Sequence, residues 1–245
     1  FRRVLFRSPA RNAVAAATMV QAGFTGLDDV FSGPRNFFDA FSHDGADPEV
    51  LTASLGERFE ILHTNIKKWT VGSPIQAVLD SVQALVLQHD LTADDIAAIA
   101  INMSDKEAHV VDNRDMPAVN LQYLIAVMIL DRTVSFASAH DEARVDVPAI
   151  AAIKERVRLQ PDTSLPRRQP VVRLELRDGR ALEHRTTAVR GTPDNPMDRQ
   201  EVGEKAVDLL SDPLGARKAQ ALIDRIWDVE TVSNVRDLRP LLMPD

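Results

Sequence analysis

Two lysines stand directly ahead of a helix start in the stretch Ile66-Lys67-Lys68-Trp69-Thr70-Val71-Gly72-Ser73-Pro74-Ile75-Gln76-Ala77-Val78-Leu79-Asp80. Ser73 reads as the N-cap, Pro74 as the first helical residue, and Gln76 completes an S-x-x-Q capping box. Ile75, Val78, Leu79, Val82, Leu85 and Val86 then recur at helical spacing. A helix start presents unbonded backbone N–H groups and a partial positive charge, both of which attract anions. With Lys67 and Lys68 beside it, the stretch could receive a small molecule bearing a carboxylate. An ordinary capped helix after a solvated lysine pair explains the same residues, and both readings stand at this level.

Other side chains could contribute chemistry. Tyr123, the one tyrosine of the chain, lies in an apolar helical stretch close to Asn120 and Gln122. It reads either as a core aromatic with a satisfied hydroxyl or as a general acid whose ionisation a nearby lysine would favour. Arg11 opens the first helix, where a cation opposes the helix dipole; an anionic partner or a plain ion pair would relieve it. Arg190 carries the same ambiguity. His140-Asp141-Glu142 looks like an acid–base cluster and equally like a polar loop.

Several classes are excluded or disfavoured. There is no cysteine among the 245 residues, which rules out disulfides, thiolate metal sites and cysteine nucleophiles. The six histidines, His43, His63, His89, His109, His140 and His184, show no zinc-binding spacing. No G-x-S-x-G, G-x-G-x-x-G or Walker lysine occurs, so neither a serine hydrolase nor a nucleotide-dependent redox enzyme is supported. The expectation is a protein with no cofactor and no metal. A net charge of −7 without a basic block argues against nucleic acid or an anionic membrane as partner. No apolar stretch reaches membrane-spanning length, and a soluble, cytoplasmic protein is expected.

The elements that would position these residues follow from the chain pattern. Ala10–Ala22 reads as a buried helix stopped by Gly23. Short helical pieces follow at Leu27–Phe31, Arg35–Phe41 and after Asp47-Pro48. Phe59–Ile66 is expected to be extended, leading into the helix Pro74–His89. Strands are expected at Ile96–Asn102 and Arg156–Gln160, and helices at Ala118–Leu130 and Pro148–Ile153. Val171–Arg177 and Arg180–Val189 flank Asp178-Gly179, a type I′ hairpin signature. Asp198-x-x-Glu201 caps a helix, Ser211-Asp212-Pro213 starts another reaching Trp227, and Val235, Leu238 and Leu241 mark a last amphipathic turn. The order is helical, then mixed, then helical. It suggests a mainly α protein in which a helical domain is split by an inserted α+β lid domain.

Taken in order, several segments resemble the MmgE/PrpD family, which includes 2-methylcitrate dehydratase, cis-aconitate decarboxylase and iminodisuccinate epimerase. The segments are Ala10-Arg11-Asn12-Ala13-Val14-Ala15-Ala16 with Gly23-Phe24-Thr25-Gly26, Ile66-Lys67, Ala77-x-x-Asp80, and Asn120-Leu121-Gln122-Tyr123 with Ala126, Leu130 and Asp131. Asp178-Gly179-Arg180 and Arg190-Gly191-Thr192-Pro193-Asp194-Asn195-Pro196-Met197 complete the set. Where the family usually carries a histidine, this chain has Gln76, which can hydrogen-bond but cannot take a proton.

The resemblance implies a lyase of the 2-methylcitrate dehydratase type. Such an enzyme removes a proton α to a carboxylate of a small (hydroxy)polycarboxylic acid and eliminates water. Epimerase or decarboxylase chemistry on the same scaffold is the alternative, as is an inactive truncated fragment. It implies Lys67 and Tyr123 as catalytic residues, Arg11, Ser73 and Gln76 as substrate-binding residues, and a homodimer when the chain is full length. The expected division is a non-native leader at 1–9, a truncated helical part at 10–60, the α+β lid at 61–192 and the returning helical part at 193–245. Loss of preceding helices would expose Val14, Met19 and Phe37 and promote self-association.

Overall fold

The computed structural model describes residues 2–42 and 47–244, with backbone alone for residues 2–8. Phe1 and the side chains of residues 2–8, part of the expected leader, lie outside the described residues, as does His43. The chain divides into two units, Phe1–Phe59 and Glu60–Asp245.

In the first unit, helix α1 spans Arg2–Gln21 and contains Pro9. It ends where Gly23 takes φ +96°, and the Phe24 N–H closes onto the Met19 carbonyl at 3.0 Å. The helix is present as expected, but from Pro9 to Gln21 every residue is exposed. Among the described residues of this unit no second layer packs on its alanine and valine face. Val14, Met19 and Phe37 are accordingly exposed. The helical turn expected at Leu27–Phe31 does not form. The Asp29 carboxylate accepts the N–H groups of Phe31 and Ser32 instead, an alternative that competes with helix. Helix α2, Phe37–Phe41, is capped by Asn36, and Asp39 completes the capping box. The rings of Phe31, Phe37, Phe38 and Phe41 meet edge-on or tilted beside it.

The second unit begins with a 3₁₀ turn at Glu60–His63 rather than the extended run expected there. Helix α3 covers Gln76–Gln88, and strand β1 follows at Ile96–Ser104. Helices α4 (Asp105–Val111), α5 (Leu121–Asp131), α6 (Phe136–Ala139) and α7 (Pro148–Lys154) then lead to strand β2, Val157–Asp162. Strands β3 (Val171–Leu176) and β4 (Ala181–Arg185) form the hairpin. Helices α8 (Arg199–Leu214) and α9 (Ala216–Trp227) and a 3₁₀ stretch at Val235–Leu242 close the chain. The sheet order is β2-β1-β3-β4, with β1 parallel to β2 and antiparallel to β3.

Alternation explains the sheet. Ile99, Ile101 and Met103 of β1 and Val172, Leu174 and Leu176 of β3 are all buried, with exposed or partly exposed residues between them. Helix α3 packs on both β3 and β4, and α5 packs against α3 within the same core. Every residue of α5 from Leu121 to Ile129 is buried, as befits a helix that is apolar all round.

Two turn readings change. In the hairpin only Gly179 has positive φ, at +88°. A type I′ turn needs two such residues. The chain instead turns across Leu176–Gly179, with the Gly179 N–H on the Leu176 carbonyl at 3.1 Å. Helix α8, capped by Asp198 and Glu201 as expected, runs through Pro213. The break comes at Gly215, where φ is +76° and the chain can reverse. The result is an α+β fold built on a small mixed sheet. Among the described residues no helix is long and apolar enough to cross a membrane.

Candidate functional site

The lysine stretch is held in place by a buried amide. Gln76, the first residue of α3, is 4% exposed. Its Oε1 accepts the Trp69 N–H at 3.1 Å, and its Nε2 donates to the carbonyls of Trp69 at 2.8 Å and Val71 at 3.3 Å. The expected capping box is therefore absent. Ser73–Ile75 forms a 3₁₀ turn that starts after Gly72 without a side-chain cap. Gln76 is drawn inward because Trp69 and Val71 are themselves buried, and their backbone polar groups need partners.

The two lysines face different surroundings. Lys68 Nζ donates to Gln83 Oε1 at 2.8 Å and lies 4.5 Å from the Trp69 ring centroid, which binds it to α3. Lys67 is exposed and donates to the Val71 carbonyl at 3.2 Å. Lys67, Ser73 and Gln76 all line one small cleft, which encloses about 20 Å³, room for about one water molecule, and is otherwise open to solvent. Arg168, Arg190 and Gly191 form its other side. Wider hollows of about 420 Å³ each lie beside Lys68. The smaller one is the candidate site, because it gathers three of the expected residues.

The opposite wall depends on a tight backbone crossing. The Ile66 N–H donates to the Gly191 carbonyl at 2.8 Å. Gly191 has φ +90°, and a Cβ there would fall 1.8 Å from the Ile66 carbonyl oxygen. Its neighbour Arg190 resolves the earlier ambiguity as an ion pair. The Arg190 guanidinium donates to both oxygens of Glu201 and, at 2.6 Å, to Asn195 Oδ1. That bond holds the Glu201 carboxyl below its usual range.

Asp80 of α3 ties the two walls together. It accepts the Trp69 indole N–H at 2.9 Å on one oxygen and the Arg190 backbone N–H at 2.9 Å on the other. Burial pushes its carboxyl above the usual range, while those two bonds and nearby cations pull it down. A raised carboxyl contributes stability at low pH that is lost as pH climbs through its folded-state value. Asp80→Asn is expected to remove that dependence. It should still cost about 1–2 kcal/mol in chemical denaturation, because the amide NH₂ must then face one of the two donors. An equally stable variant would contradict this role for Asp80.

Tyr123 does not line this cleft, and Arg11 belongs to the first unit. The Tyr123 ring is fully buried in α5, and its hydroxyl donates to the Ser138 carbonyl at 2.6 Å. Burial raises its pKa, so it is held as the neutral phenol. It is not among the residues lining the cleft. Arg11 is exposed on α1, in the first unit. His140 stacks on Phe136, with its Nδ1 2.8 Å from the Phe136 carbonyl oxygen, and forms part of a surface turn.

Sequence reasoning passed over Lys205, Arg168 and Glu107. Lys205, on α8, donates to the backbone carbonyl of Lys67, and burial, followed by the Lys67 charge, lowers its pKa. No local spacing connects residues so far apart along the chain.

Residues 69–229 match the MmgE/PrpD C-terminal domain, and the chain belongs to the MmgE/PrpD family. The matched stretch includes Ser73, Gln76 and Tyr123 and begins just after Lys67. No curated protein matches the chain.

Proposed function

We propose that this chain is the carboxy-terminal portion of a lyase of the 2-methylcitrate dehydratase type. Its substrate is a small hydroxy-polycarboxylic acid. A proton leaves the carbon α to a carboxylate, charge builds on that carboxylate, and its return expels the β-hydroxyl as water once the hydroxyl has taken a proton. The enzyme works without cofactor or metal, in the cytoplasm, as a homodimer of full-length chains whose helical domain is split by the α+β lid. The observation that carries this reading is the family match, which spans residues 69–229 and with them Ser73, Gln76, Arg168 and Arg190 of the cationic cleft.

Lys67 stabilises the developing carboxylate charge or moves the proton. Ser73 and the start of the 3₁₀ turn grip a carboxylate, and Arg11 is a further substrate-binding residue. Gln76 serves binding by holding Trp69 and Val71 in place, and it moves no proton. Tyr123 is the acid–base partner. Its raised pKa suits a donor, and acting as one requires exchange of its bond to Ser138.

The test is turnover by a full-length homologue carrying this sequence, offered a panel of hydroxy-tricarboxylates. Lys67→Ala and Tyr123→Phe are each expected to lower kcat by about 10²–10⁴-fold, the usual contribution of a positioned acid or base. Undiminished turnover in either variant removes that residue from the mechanism. Release of carbon dioxide, or inversion of a stereocentre without loss of water, would replace dehydration by decarboxylation or epimerisation.

A further inference from the structure

Of the cations around the cleft, most already have partners. Arg190 is held by Glu201 and Asn195, and Lys67 by the Val71 carbonyl. Arg168 also lines the cleft and is exposed, and its guanidinium makes no hydrogen bond or ion pair among the described residues.

Its backbone, by contrast, is held firmly. Arg168 has φ +62°, a conformation that costs a non-glycine residue about 1 kcal/mol or more. Glu107, near the start of α4, has a side chain only 2% exposed. One of its oxygens accepts the Arg168 backbone N–H at 2.8 Å, and the other pairs with Arg167 Nε at 3.3 Å. A buried carboxylate is costly unless paired, and both oxygens are spent on two consecutive residues of one loop. Glycine or asparagine would take this backbone position with less strain, so the side chain itself is what an arginine adds.

We infer that Arg168 is a substrate-binding residue that grips a second carboxylate of the acid held at Lys67, with Glu107 as its positioning residue. A planar guanidinium with free donors matches a carboxylate in two-point fashion. Arg168 thereby selects polycarboxylates over monocarboxylates. The inference rests on the carboxylate-binding reading of the cleft.

Binding of citrate and of acetate to the 245-residue chain, followed by titration calorimetry, tests it. Arg168→Gln and Arg168→Gly are expected to weaken citrate by about tenfold, the low end for a charge-assisted contact, and to leave acetate unchanged. Arg168→Lys should fall between them and the wild type. Arg168→Gly should melt no lower than the wild type, because it relieves the left-handed strain, and that separates binding from folding. Glu107→Gln should weaken citrate with the same selectivity. Citrate affinity unchanged in both Arg168→Gln and Arg168→Gly, yet lost in Lys67→Ala, would overturn the role of Arg168 and leave the cleft standing. Citrate that fails to bind the wild type would overturn both.

Discussion

Gly191→Ala is expected to lower the melting temperature by about 5–10 °C, corresponding to about 2–4 kcal/mol for a chain of this size. Two penalties combine at this position. Alanine resists φ +90°, and its Cβ would lie 1.8 Å from the Ile66 carbonyl oxygen and 2.9 Å from the carbon. Both obstacles are backbone atoms, which cannot rotate away as a flexible side chain could. The loop must lift off Ile66, breaking the Ile66–Gly191 bond and loosening the Gly191 N–H from the Asn195 carbonyl. Arg190 goes with it, so its bonds to Asp80 and Glu201 weaken as well. The same movement opens the cleft, and citrate binding should fall together with stability. A variant that melts with the wild type would show that the crossing is not as close as described.

Gln76→Ala is expected to cost about 2–4 kcal/mol in denaturant unfolding, combining a lost buried side chain with stranded polar groups. The Trp69 N–H and carbonyl both lose their partner, whereas the Val71 carbonyl keeps Lys67. Gln76→Glu provides a sharper check. An ionised carboxylate can accept from the Trp69 N–H but would face two carbonyl oxygens, so the protonated form is favoured in the folded state. The folded pKa then lies above the unfolded one. Stability relative to wild type should therefore be greatest below the ordinary glutamate range and fall as pH rises through the raised value. Gln76→His supplies one donor where the amide supplies two, and it should be less stable than the wild type. A flat pH response in Gln76→Glu would mean that the amide N–H groups are not needed.

These two residues show how legible the site is from sequence. Gln76 was readable as a polar group at a helix start, and the S-x-x-Q spacing suggested a capping box. The box fails because capping is a local option, and burial of Trp69 and Val71 creates a stronger demand for the same amide. Gly191 stands out in sequence only as a loop glycine, since its function depends on Ile66, far away along the chain. Arg168 and Glu107 lie in a proline-rich link and a short helix that carry no motif, and they become a unit only when β2 returns parallel to β1 and lays the link beside α4.

Strands β1 to β4, the helices α3, α5 and α7, and the capped start of α8 were determined by the sequence alone. Period-2 or helical apolar spacing and cap residues act within a few residues of one another. The resemblance to the MmgE/PrpD family was likewise readable from ordered short motifs, and the match over residues 69–229 bears it out. The exposure of α1, the break at Gly215 rather than at Pro213, and the hairpin turn were decided by packing and by which residue takes positive φ. So were the different surroundings of the two lysines. Adjacent in sequence, Lys67 and Lys68 are equivalent as charges, but Trp69 and Gln83 claim Lys68, which leaves Lys67 at the cleft. Neighbouring residues on a bent segment point different ways, and only the tertiary structure decides which surroundings each of them meets.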